Sequence, residues 1–361
     1  MLKIGFYLKE VNLRGVCNSV YLYAINNQKI LKNKSFIFYN KNSSKNENEA
    51  MKNFKKKFKF IGVKNKDQLN KFVKQLKIDY CYFQREGFKD YLLPNTKNII
   101  HAIFPENSKY HGHRYAFVSK WLSKNCSNNK YSYVPLPIRL PKNNQDLRKI
   151  LKIPKNAKVF GYHGGATSFD LKFVKDAIKK ILNENKNIYF LFMNINQFIF
   201  HKRVIFIKGS FDELKKVKFI NTCDAMLHAR SLGESFGISC AEFAIKNRII
   251  FTYGFCKHRA HFEVCRNYII PYFSINDLIS KLKNFKKEKR IRSNILQNKF
   301  SEKNTIKLFK EVFLNKQNKK KSLKIYDYIF IFCLYLKRIY FYTRHKIYTK
   351  FYSLISSTLE Y

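Results

Sequence analysis

The sequence has few acidic residues and few of the residues that break regular structure. Among its 361 residues, 24 are Asp or Glu and 71 are Lys or Arg, with 12 Gly and 7 Pro. Hydrophobic residues make up 45%, which is enough for buried cores, and the length suggests about two domains. The abundance of Lys, Asn, Ile, Phe and Tyr beside so little Gly and Pro is what AT-rich coding would give.

The scarcity of acids leaves a formal net charge of +47, which is compatible with a nucleic acid or an anionic membrane as partner. The lysines are scattered through every segment and form no single stripe, and no nucleic-acid-binding motif is present. We therefore attribute most of the charge to coding bias and expect no specific nucleic-acid partner. A basic surface would still favour anionic donors and membrane phosphates.

Three further absences narrow the class of protein. No two of the eight cysteines form a C-x-x-C pair, which argues against a zinc ribbon and a redox motif. Several cysteines lie in apolar runs, as expected for reduced core residues of a cytoplasmic protein. Residues 1–7 have the pattern of a strand and not of a signal peptide. No apolar run reaches the ~18 residues that a membrane-spanning helix needs.

Residues 1–140 alternate between short apolar runs and helical patterns, which predicts a doubly wound α/β domain with a parallel sheet. The predicted strands cover residues 3–8, 35–39, 79–83, 98–104, 115–119 and 131–136. The predicted helices cover residues 15–30 and 67–76, and Ser119 can cap a short helix after it. Residues 40–57 are polar and rich in Lys and Asn, which indicates a surface loop.

Four prolines punctuate a polar stretch and predict a linker at residues 141–157. Residues 158–315 repeat the α/β alternation. The predicted strands cover residues 158–162, 187–193, 204–207, 224–228 and 248–253. The predicted helices cover residues 170–183, 211–221, 237–246, 275–285 and 301–314. Two such domains joined by a hinge would place a ligand in the cleft that they face, at the carboxyl ends of the strands.

Residues 316–361 differ in kind and form a basic aromatic tail. Three lysines at 319–321 precede the apolar run 325–336, and further Lys and Arg then interleave with Tyr and Phe. This composition suits a helix that lies on an anionic membrane surface, as in a peripheral membrane protein. A terminal helix that packs back on the first domain also fits the pattern, so both interpretations stay open.

Residues 233–242, Gly-Glu-Ser-Phe-Gly-Ile-Ser-Cys-Ala-Glu, form the most informative stretch. Glu234 and Glu242 flank the start of a helix near Gly237, directly after a buried strand. A helix start exposes unpaired N–H groups that bind phosphate, and adjacent carboxylates accept hydrogen bonds from sugar hydroxyls. A capping acid and an exposed helix acid are the alternative, but the strand–turn–helix context favours a nucleotide-sugar site.

Other candidates follow the ends of other predicted strands. Gly164 and Gly165 let the backbone approach a phosphate, Gly15 lies in the turn after the first strand, and His101 ends a strand. Arg230 and the cations of residues 257–259 could neutralise a diphosphate. The alternatives are plain turns, a core histidine and a solvated basic loop. The histidines at 111 and 113 lack a third ligand, so we predict no metal site.

Taken together, these residues resemble retaining glycosyltransferases of the GT-B fold, family 4, the group 1 glycosyl transferases. Residues 228–242 look like the E-x7-E signature of that family, and the resemblance in architecture covers roughly residues 1–315. It implies two Rossmann-like domains facing a cleft. It also implies transfer of a hexose with retention from a nucleotide-diphosphate sugar to a glycan or lipid-linked acceptor, with no metal or other cofactor.

The resemblance also assigns roles to the candidate residues. Glu234 would hold hydroxyls of the donor sugar at the catalytic centre, and Glu242 would hold the ribose. His101 would be the catalytic cleft histidine on the acceptor side, which Gly15 also faces. The remaining expected donor-binding residues are Phe236, Gly237, Ile238, Gly164, Gly165 and Arg230.

One departure from the family concerns the leaving group. The family carries an Arg and, a few residues on, a Lys in the first loop of the second domain. Tyr162 or His163 stands near the first position here, and Thr167 or Ser168 near the second. Arg230, Lys172 or the cations of residues 257–259 would have to substitute. The alternative is a catalytically degenerate module that binds a nucleotide or glycan without turnover.

Overall fold

The computed structural model describes residues 1–106, 108–287, 294–315 and 322–358, with side chains up to residue 354. The chain divides into two compact units. The first combines Met1–Arg139 with Gln297–Phe332, and the second combines Leu140–Leu296 with Cys333–Tyr361. Each unit is built on a six-stranded parallel sheet, so the prediction of two α/β domains with parallel sheets is confirmed.

Ten of the described strands lie close to predicted positions, whereas those at residues 59–63, 233–234, 258–259 and 269–272 have no predicted counterpart. The described strands are β1 Lys3–Leu8, β2 Lys34–Asn40, β3 Lys59–Val63, β4 Tyr80–Arg85, β5 Lys97–Ala102, β6 Arg114–Phe117, β7 Lys158–His163, β8 Ile188–Met193, β9 Val204–Ile207, β10 Ala225–His228, β11 Gly233–Glu234, β12 Ile249–Tyr253, β13 His258–Arg259 and β14 Ile269–Tyr272. The first sheet has the order β3-β2-β1-β4-β5-β6 and the second β14-β12-β10-β7-β8-β9, while β11 and β13 form a separate two-stranded pair.

The helices alternate with these strands and cover the sheets. They are α1 Gly15–Lys29, α2 Asn48–Lys55, α3 Lys66–Gln75, α4 Lys120–Ser127, α5 Lys172–Glu184, α6 Glu213–Thr222, α7 Ile238–Ile245, α8 Ala260–Cys265, α9 Ile275–Lys283, α10 Ile295–Lys299, α11 Glu302–Phe309 and α12 Ile325–Thr358. Ser119 caps α4 as predicted, because its hydroxyl accepts a hydrogen bond from the amide of Leu122 at 3.2 Å.

Two local predictions in the first unit are wrong. Residues 40–57 are not only a loop, since α2 lies within them and buries Ala50 and Phe54. The apolar face of α2 is so short that the many polar residues around it obscure the helical pattern in the sequence. Residues 131–136 form no strand and make a single bridge between Tyr133 and Phe117. The strand pattern there reflects burial of an irregular segment whose backbone is only partly paired.

The segment that carries α11 packs in the first unit, whereas the predicted boundary placed residues 158–315 in the second domain. Phe309 lies 5.0 Å from the ring of Tyr23 and 5.5 Å from that of Tyr82. Phe313 lies 5.3 Å from the ring of His101. These aromatic contacts hold α11 on the first unit, although α11 follows the second unit in the sequence. The first unit is therefore discontinuous along the chain.

The predicted linker at residues 141–157 packs on the second unit. The amide of Leu147 donates to the hydroxyl of Thr222 at 2.8 Å, and the Arg148 guanidinium donates to the Asp224 carboxylate at 2.9 Å. Asp224 also accepts a hydrogen bond from the amide of Val159 at the start of β7. This segment is therefore an ordered part of the second unit that lacks regular secondary structure.

The predicted tail forms the 34-residue helix α12; residues 316–321 and 359–361 of the tail lie outside the described residues. Near its start, buried Asp327 accepts a hydrogen bond from Asn128 in the first unit. In its later part, Tyr352 donates to Asp176 of the second unit at 2.9 Å. Among the described residues, no helix is long and apolar enough to cross a membrane.

Candidate functional site

The order of strands in the second sheet identifies the place where a ligand would bind. From β7 the chain proceeds to β8 and β9 on one side, whereas β10, β12 and β14 lie on the other side. The direction of winding therefore reverses between β7 and β10. In parallel α/β sheets, ligands bind at the carboxyl ends of the strands next to such a switch point. The loops that begin at residues 164 and 229 both start there.

Glu234 is held by a short strand pair that depends on a glycine. Gly233 has φ +71°, and a Cβ at this position would lie 2.1 Å from the carbonyl oxygen of His258. Only glycine combines this backbone angle with so close an approach. Strands β11 and β13 then pair Glu234 with Arg259, which sets the backbone of Glu234 beside the end of β10.

The Glu234 carboxylate is ionised and held from two sides. Its Oε2 accepts a hydrogen bond from Arg230 at 3.0 Å, and its Oε1 lies 3.3 Å from Nε2 of His228. Burial alone would raise the pKa of Glu234, but the Arg230 charge and the His228 contact outweigh burial and lower the pKa to about 2. At neutral pH the group is therefore a hydrogen-bond acceptor.

A chain of buried hydrogen bonds extends behind Glu234. His228 Nδ1 lies 2.8 Å from Thr252 Oγ1, which lies 3.0 Å from His261 Nε2. A carboxylate only accepts, so His228 donates from Nε2, and in the neutral ring Nδ1 then accepts from the threonine hydroxyl. Thr252 then accepts from Nε2 of His261. Burial lowers the pKa of His261 well below its usual value, which favours the neutral ring, and donation from Nε2 selects the tautomer that carries its proton there.

The start of α7 lies directly beside Glu234. Gly237 precedes the helix with φ +91°, and a Cβ there would lie 2.9 Å from Cβ of His261 and 3.3 Å from Cβ of Glu234. Because glycine offers no capping side chain, the N–H groups of the first turn, beginning with Ile238, are available to an anion. Phe236 is buried beneath the turn. Glu234 and a helix start thus meet, as predicted.

Glu242 is enclosed more completely than the sequence suggests. It is buried on the inner face of α7, where Lys216 binds Oε1 and His163 Nε2 lies 3.0 Å from Oε2. Burial acts to raise the pKa of Glu242, but the charge of Lys216 and the contact with His163 outweigh it and lower the pKa to about 2. A ribose hydroxyl can reach this carboxylate only by displacing Lys216 or His163.

The glycine turn after β7 is a loop that does not open a helix directly, because α5 begins only at Lys172. The carbonyl of Gly164 accepts from Asn194 at 2.7 Å, and that of Gly165 accepts from the Ser168 hydroxyl at 2.7 Å. A Cβ on Gly165 would meet no described atom within 4 Å. Gly165 therefore borders open space into which a ligand could fit.

The positions where the related family carries cations are used differently here. Tyr162 is buried, and its hydroxyl lies 2.9 Å from that of Ser168. His163 contacts Glu242. Neither position supplies a permanent positive charge toward the loop of Gly164 and Gly165. Thr167 is exposed on the same loop and also carries no charge.

Among the substitute cations proposed from the sequence, Arg230 contacts a site carboxylate, that of Glu234. Arg259 is stacked between two rings, with its guanidinium carbon 4.0 Å from the centre of Phe262 and 4.2 Å from that of Phe341. It also donates to the carbonyl of Gly254. Lys172 is exposed at the first turn of α5. Arg259 therefore has a packing role in the second unit.

The two candidates of the first unit have different environments. Gly15 is the exposed first residue of α1, next to the point where β1 and β4 reverse the winding of the first sheet. His101, expected to face a cleft, is fully buried. Tyr82 donates to its Nδ1 at 2.6 Å, and its Nε2 donates to the carbonyl of Val134 at 2.8 Å.

The burial of His101 corrects the expectation of a cleft histidine. Burial lowers the pKa of His101 to about 4, so the ring is neutral and both of its nitrogens are used. A catalytic group must touch the substrate, and this imidazole reaches none without leaving the core. The strand pattern of residues 98–104 is compatible with either environment, because β5 is buried on both faces.

Sequence reasoning missed the partners of the two carboxylates. Thr252, His261 and Lys216 lie on three different elements and have no characteristic spacing from Glu234 or Glu242. The available signal was the position of His163 and His228 at the carboxyl ends of β7 and β10, where parallel α/β folds place functional side chains.

No protein-family model matches the chain, and no curated protein sequence matches it either. Several solved structures share its architecture at low identity. The glycosyltransferase from Rickettsia africae ESF-5 is 13% identical, with a TM-score of 0.62 over 87% of this chain and 99% of that chain. Anabaena Alr3699/HepE, solved with UDP and glucose, is 12% identical, with a TM-score of 0.64 over 87% of this chain and 100% of that chain.

A third similar structure is named for another enzyme. A UDP-N-acetylglucosamine 2-epimerase candidate from Listeria monocytogenes is 8% identical, with a TM-score of 0.54 over 90% of this chain and 100% of that chain. Identities this low show the fold and not the reaction. The chain therefore has the two-domain, Rossmann-like GT-B fold that glycosyltransferases share with this epimerase candidate.

Proposed function

We propose that the protein is a glycosyltransferase whose second unit binds a nucleotide-diphosphate sugar. The observation that carries this proposal is the meeting of ionised Glu234, the uncapped start of α7 and the loop of Gly164 and Gly165 at one switch point. HepE, which has the same fold, was solved with UDP and glucose. That ligand pair matches an anion-binding helix start with a carboxylate beside it.

In the proposed mechanism, each group of the site binds a different part of the donor. The N–H groups of the first turn of α7 bind the diphosphate, and Glu234 accepts hydrogen bonds from hydroxyls of the sugar. Transfer breaks the bond between the anomeric carbon and the phosphate oxygen and forms one between that carbon and the oxygen of an acceptor hydroxyl. The electron pair of the broken bond goes to the diphosphate, which takes up the hydroxyl proton after negative charge has grown on it. Arg230 and the helix start stabilise that charge. His228 holds Glu234 in orientation through the chain of hydrogen bonds behind it.

The finer features of the proposal follow the resemblance to retaining enzymes. We propose that a hexose is transferred with retention to a glycan or lipid-linked acceptor and that no metal takes part. Arg230 supports this view, because one of its N–H groups binds Glu234 at 3.0 Å and its planar guanidinium carries others that could bind a phosphate oxygen. A fixed cation beside the sugar carboxylate can replace one in the loop after β7.

A second candidate function is binding of a nucleotide or glycan without turnover. It is favoured by the loop after β7, where buried Tyr162 and hydrogen-bonded Ser168 stand near the positions of the family cations. Without the two cations that the related family carries in this loop, a site could retain affinity and lose rate, because electrostatic stabilisation acts mainly on the transition state.

The first experiment is calorimetric binding of UDP, GDP and ADP, followed by assays of donor hydrolysis and transfer with the corresponding sugars. We expect Glu234→Gln to lower turnover by about a hundredfold or more while the protein remains folded. Glu184→Gln is the matched control, since Glu184 forms a surface ion pair with Lys283 on α5 and α9. This control should keep full turnover.

The outcomes separate the two functions. Nucleotide binding together with no hydrolysis or transfer across the panel would support the binding module. Undiminished turnover in Glu234→Gln would refute the assigned site. The configuration of the product, measured by NMR, tests retention independently of the residue assignments.

A further inference from the structure

Helix α12 presents an unbroken row of exposed side chains along one face. The row recurs every three or four residues, which is the spacing of one helix face, and Thr343 is its one polar position. Its apolar members are Ile329, Phe332, Leu336, Tyr340, Ile347 and Phe351. Their exposed fractions lie between 48% and 62%. Isolated exposed apolar residues need no explanation, but a contiguous row of this length marks an interaction surface.

The opposite face of α12 is already engaged by the fold. Asp327 is buried and accepts from Asn128. Farther along, the ring of Tyr348 packs edge-on against Phe173 at 5.0 Å, and Tyr352 donates to a carboxylate of α5. The contacts of Tyr348 and Tyr352 fix the rotation of the helix about its axis within the second unit, so the exposed residues from Leu336 to Phe351 cannot turn inward without breaking them.

The exposed face is positively charged as well as apolar. Lys337 and Arg344 border one side of the row, while Lys346 and Lys350 border the other; all four are exposed. The sequence between residues 325 and 354 contains one acid, Asp327, and that acid lies on the packed face. Any partner of this surface must therefore accept both apolar side chains and positive charge.

We propose that this face of α12 docks on the headgroup region of an anionic lipid bilayer. An apolar row bordered by cations enters the boundary between headgroups and acyl chains, while long basic side chains extend to the phosphates. Tyrosine and phenylalanine suit that boundary. A second copy of this chain fits less well, because it would bring the same cations and a net charge of +47. This proposal does not depend on the proposed enzymatic function.

The first test separates docking by α12 from general adsorption of a basic protein. We would measure co-sedimentation with vesicles of phosphatidylcholine alone and of phosphatidylcholine mixed with phosphatidylserine. Reversing all four cations, as K337E, R344E, K346E and K350E, should lower partitioning by about a hundredfold or more, since each contributes about fivefold near an anionic leaflet. The matched control reverses four exposed lysines elsewhere, as K55E, K56E, K57E and K59E.

The second test concerns the apolar row. Replacing Leu336, Tyr340, Ile347 and Phe351 by serine keeps every charge and should lower partitioning by about tenfold or more. The matched control replaces four other exposed apolar residues by serine, namely Ile30, Ile150, Phe200 and Leu214. Partitioning that changes equally in helix variants and controls, for either set, would overturn the proposal in favour of non-specific adsorption.

A native cysteine can report the docking directly. Cys333 is exposed on α12, whereas Cys126 is half-buried and the other six cysteines are buried. A polarity-sensitive maleimide dye on Cys333 should shift to shorter wavelength with anionic vesicles and not with phosphatidylcholine alone. Cys333→Ser identifies any signal from Cys126. Light scattering without lipid tests the remaining outcome. A dimer that dissociates in the serine variants would show that the row binds a second copy of the chain and would overturn the proposal.

Discussion

At the scale of single residues, Thr252 connects two buried histidines to the carboxylate of Glu234. Its hydroxyl donates its one hydrogen bond to Nδ1 of His228 and accepts a hydrogen bond from Nε2 of His261. The orientation of Glu234 therefore depends on a residue that lies outside the motif. Such a residue positions the site without touching the substrate, and its effect is separable from its contribution to stability.

We expect Thr252→Val to leave two buried imidazole nitrogens without a partner, which lowers the free energy of unfolding by about 1–3 kcal/mol. Binding of a UDP-sugar should weaken in addition, because Glu234, which is proposed to hold hydroxyls of the donor sugar, loses its fixed orientation. Thr222→Val is the control, since Thr222 is an equally buried threonine of the same unit whose hydroxyl bonds the backbone at Lys218 and Leu147. Chemical denaturation and calorimetry measure the two quantities. Equal loss of affinity in both variants would contradict a positioning role.

At the scale of elements, the start of α7 combines a helix end with a backbone conformation that glycine alone adopts readily. Gly237 has φ +91° and lies against His261 and Glu234. The element thus brings N–H donors to the carboxylate only because a side chain is missing. The same dependence on glycine is absent at Gly165, which borders open space.

We expect Gly237→Ala to lower the free energy of unfolding by about 2 kcal/mol or more, because positive φ costs about 1–3 kcal/mol and the added Cβ would approach Cβ of His261. Gly165→Ala should change stability by less than about 1 kcal/mol, since no described atom lies within 4 Å of its Cβ. Thermal or urea denaturation of both variants decides the matter. A larger loss for Gly165→Ala would contradict this account of the two turns.

At the scale of the whole molecule, the two site carboxylates make stability depend on pH in the acid range. The pKa of Glu234 and that of Glu242 are lowered from an ordinary 4.5 to about 2 by their cationic partners. A carboxyl whose pKa is depressed in the folded state contributes stability above its unfolded pKa and loses it as pH falls through the folded pKa. The window is therefore about pH 4.5 to 2.

We expect the melting temperature to fall across that window and the fall to be shallower in Glu234→Gln and Glu242→Gln, which have no proton to take up. Both variants should also melt lower than the unmodified protein at neutral pH, because Arg230 or Lys216 loses its counter-charge in a buried site. Melting curves between pH 2 and 7 provide the measurement. Identical slopes in all three proteins would mean that these carboxylates are not linked to folding.

The sequence was sufficient for most of the elements and for the meeting of Glu234 with the start of a helix. Apolar runs of five or six residues with helical patterns between them predict parallel sheets, because strands buried on both faces must be continuously apolar. The stretch from Gly233 to Glu242 is local, and its strand, turn and helix follow one another along the chain. Such information is contained in neighbouring residues and does not depend on distant contacts.

Only the tertiary structure decided which residues from distant segments meet. It placed His101 in the core, seated Phe309 and Phe313 on the first unit, and enclosed Glu242 between Lys216 and His163. It also determined which face of α12 is exposed. The physical reason is that burial and pairing depend on contacts between remote residues, whose spacing along the chain carries no periodic signal. Local sequence pattern therefore determined most of the secondary-structure elements, and tertiary packing determined which charged side chains remain accessible to a ligand.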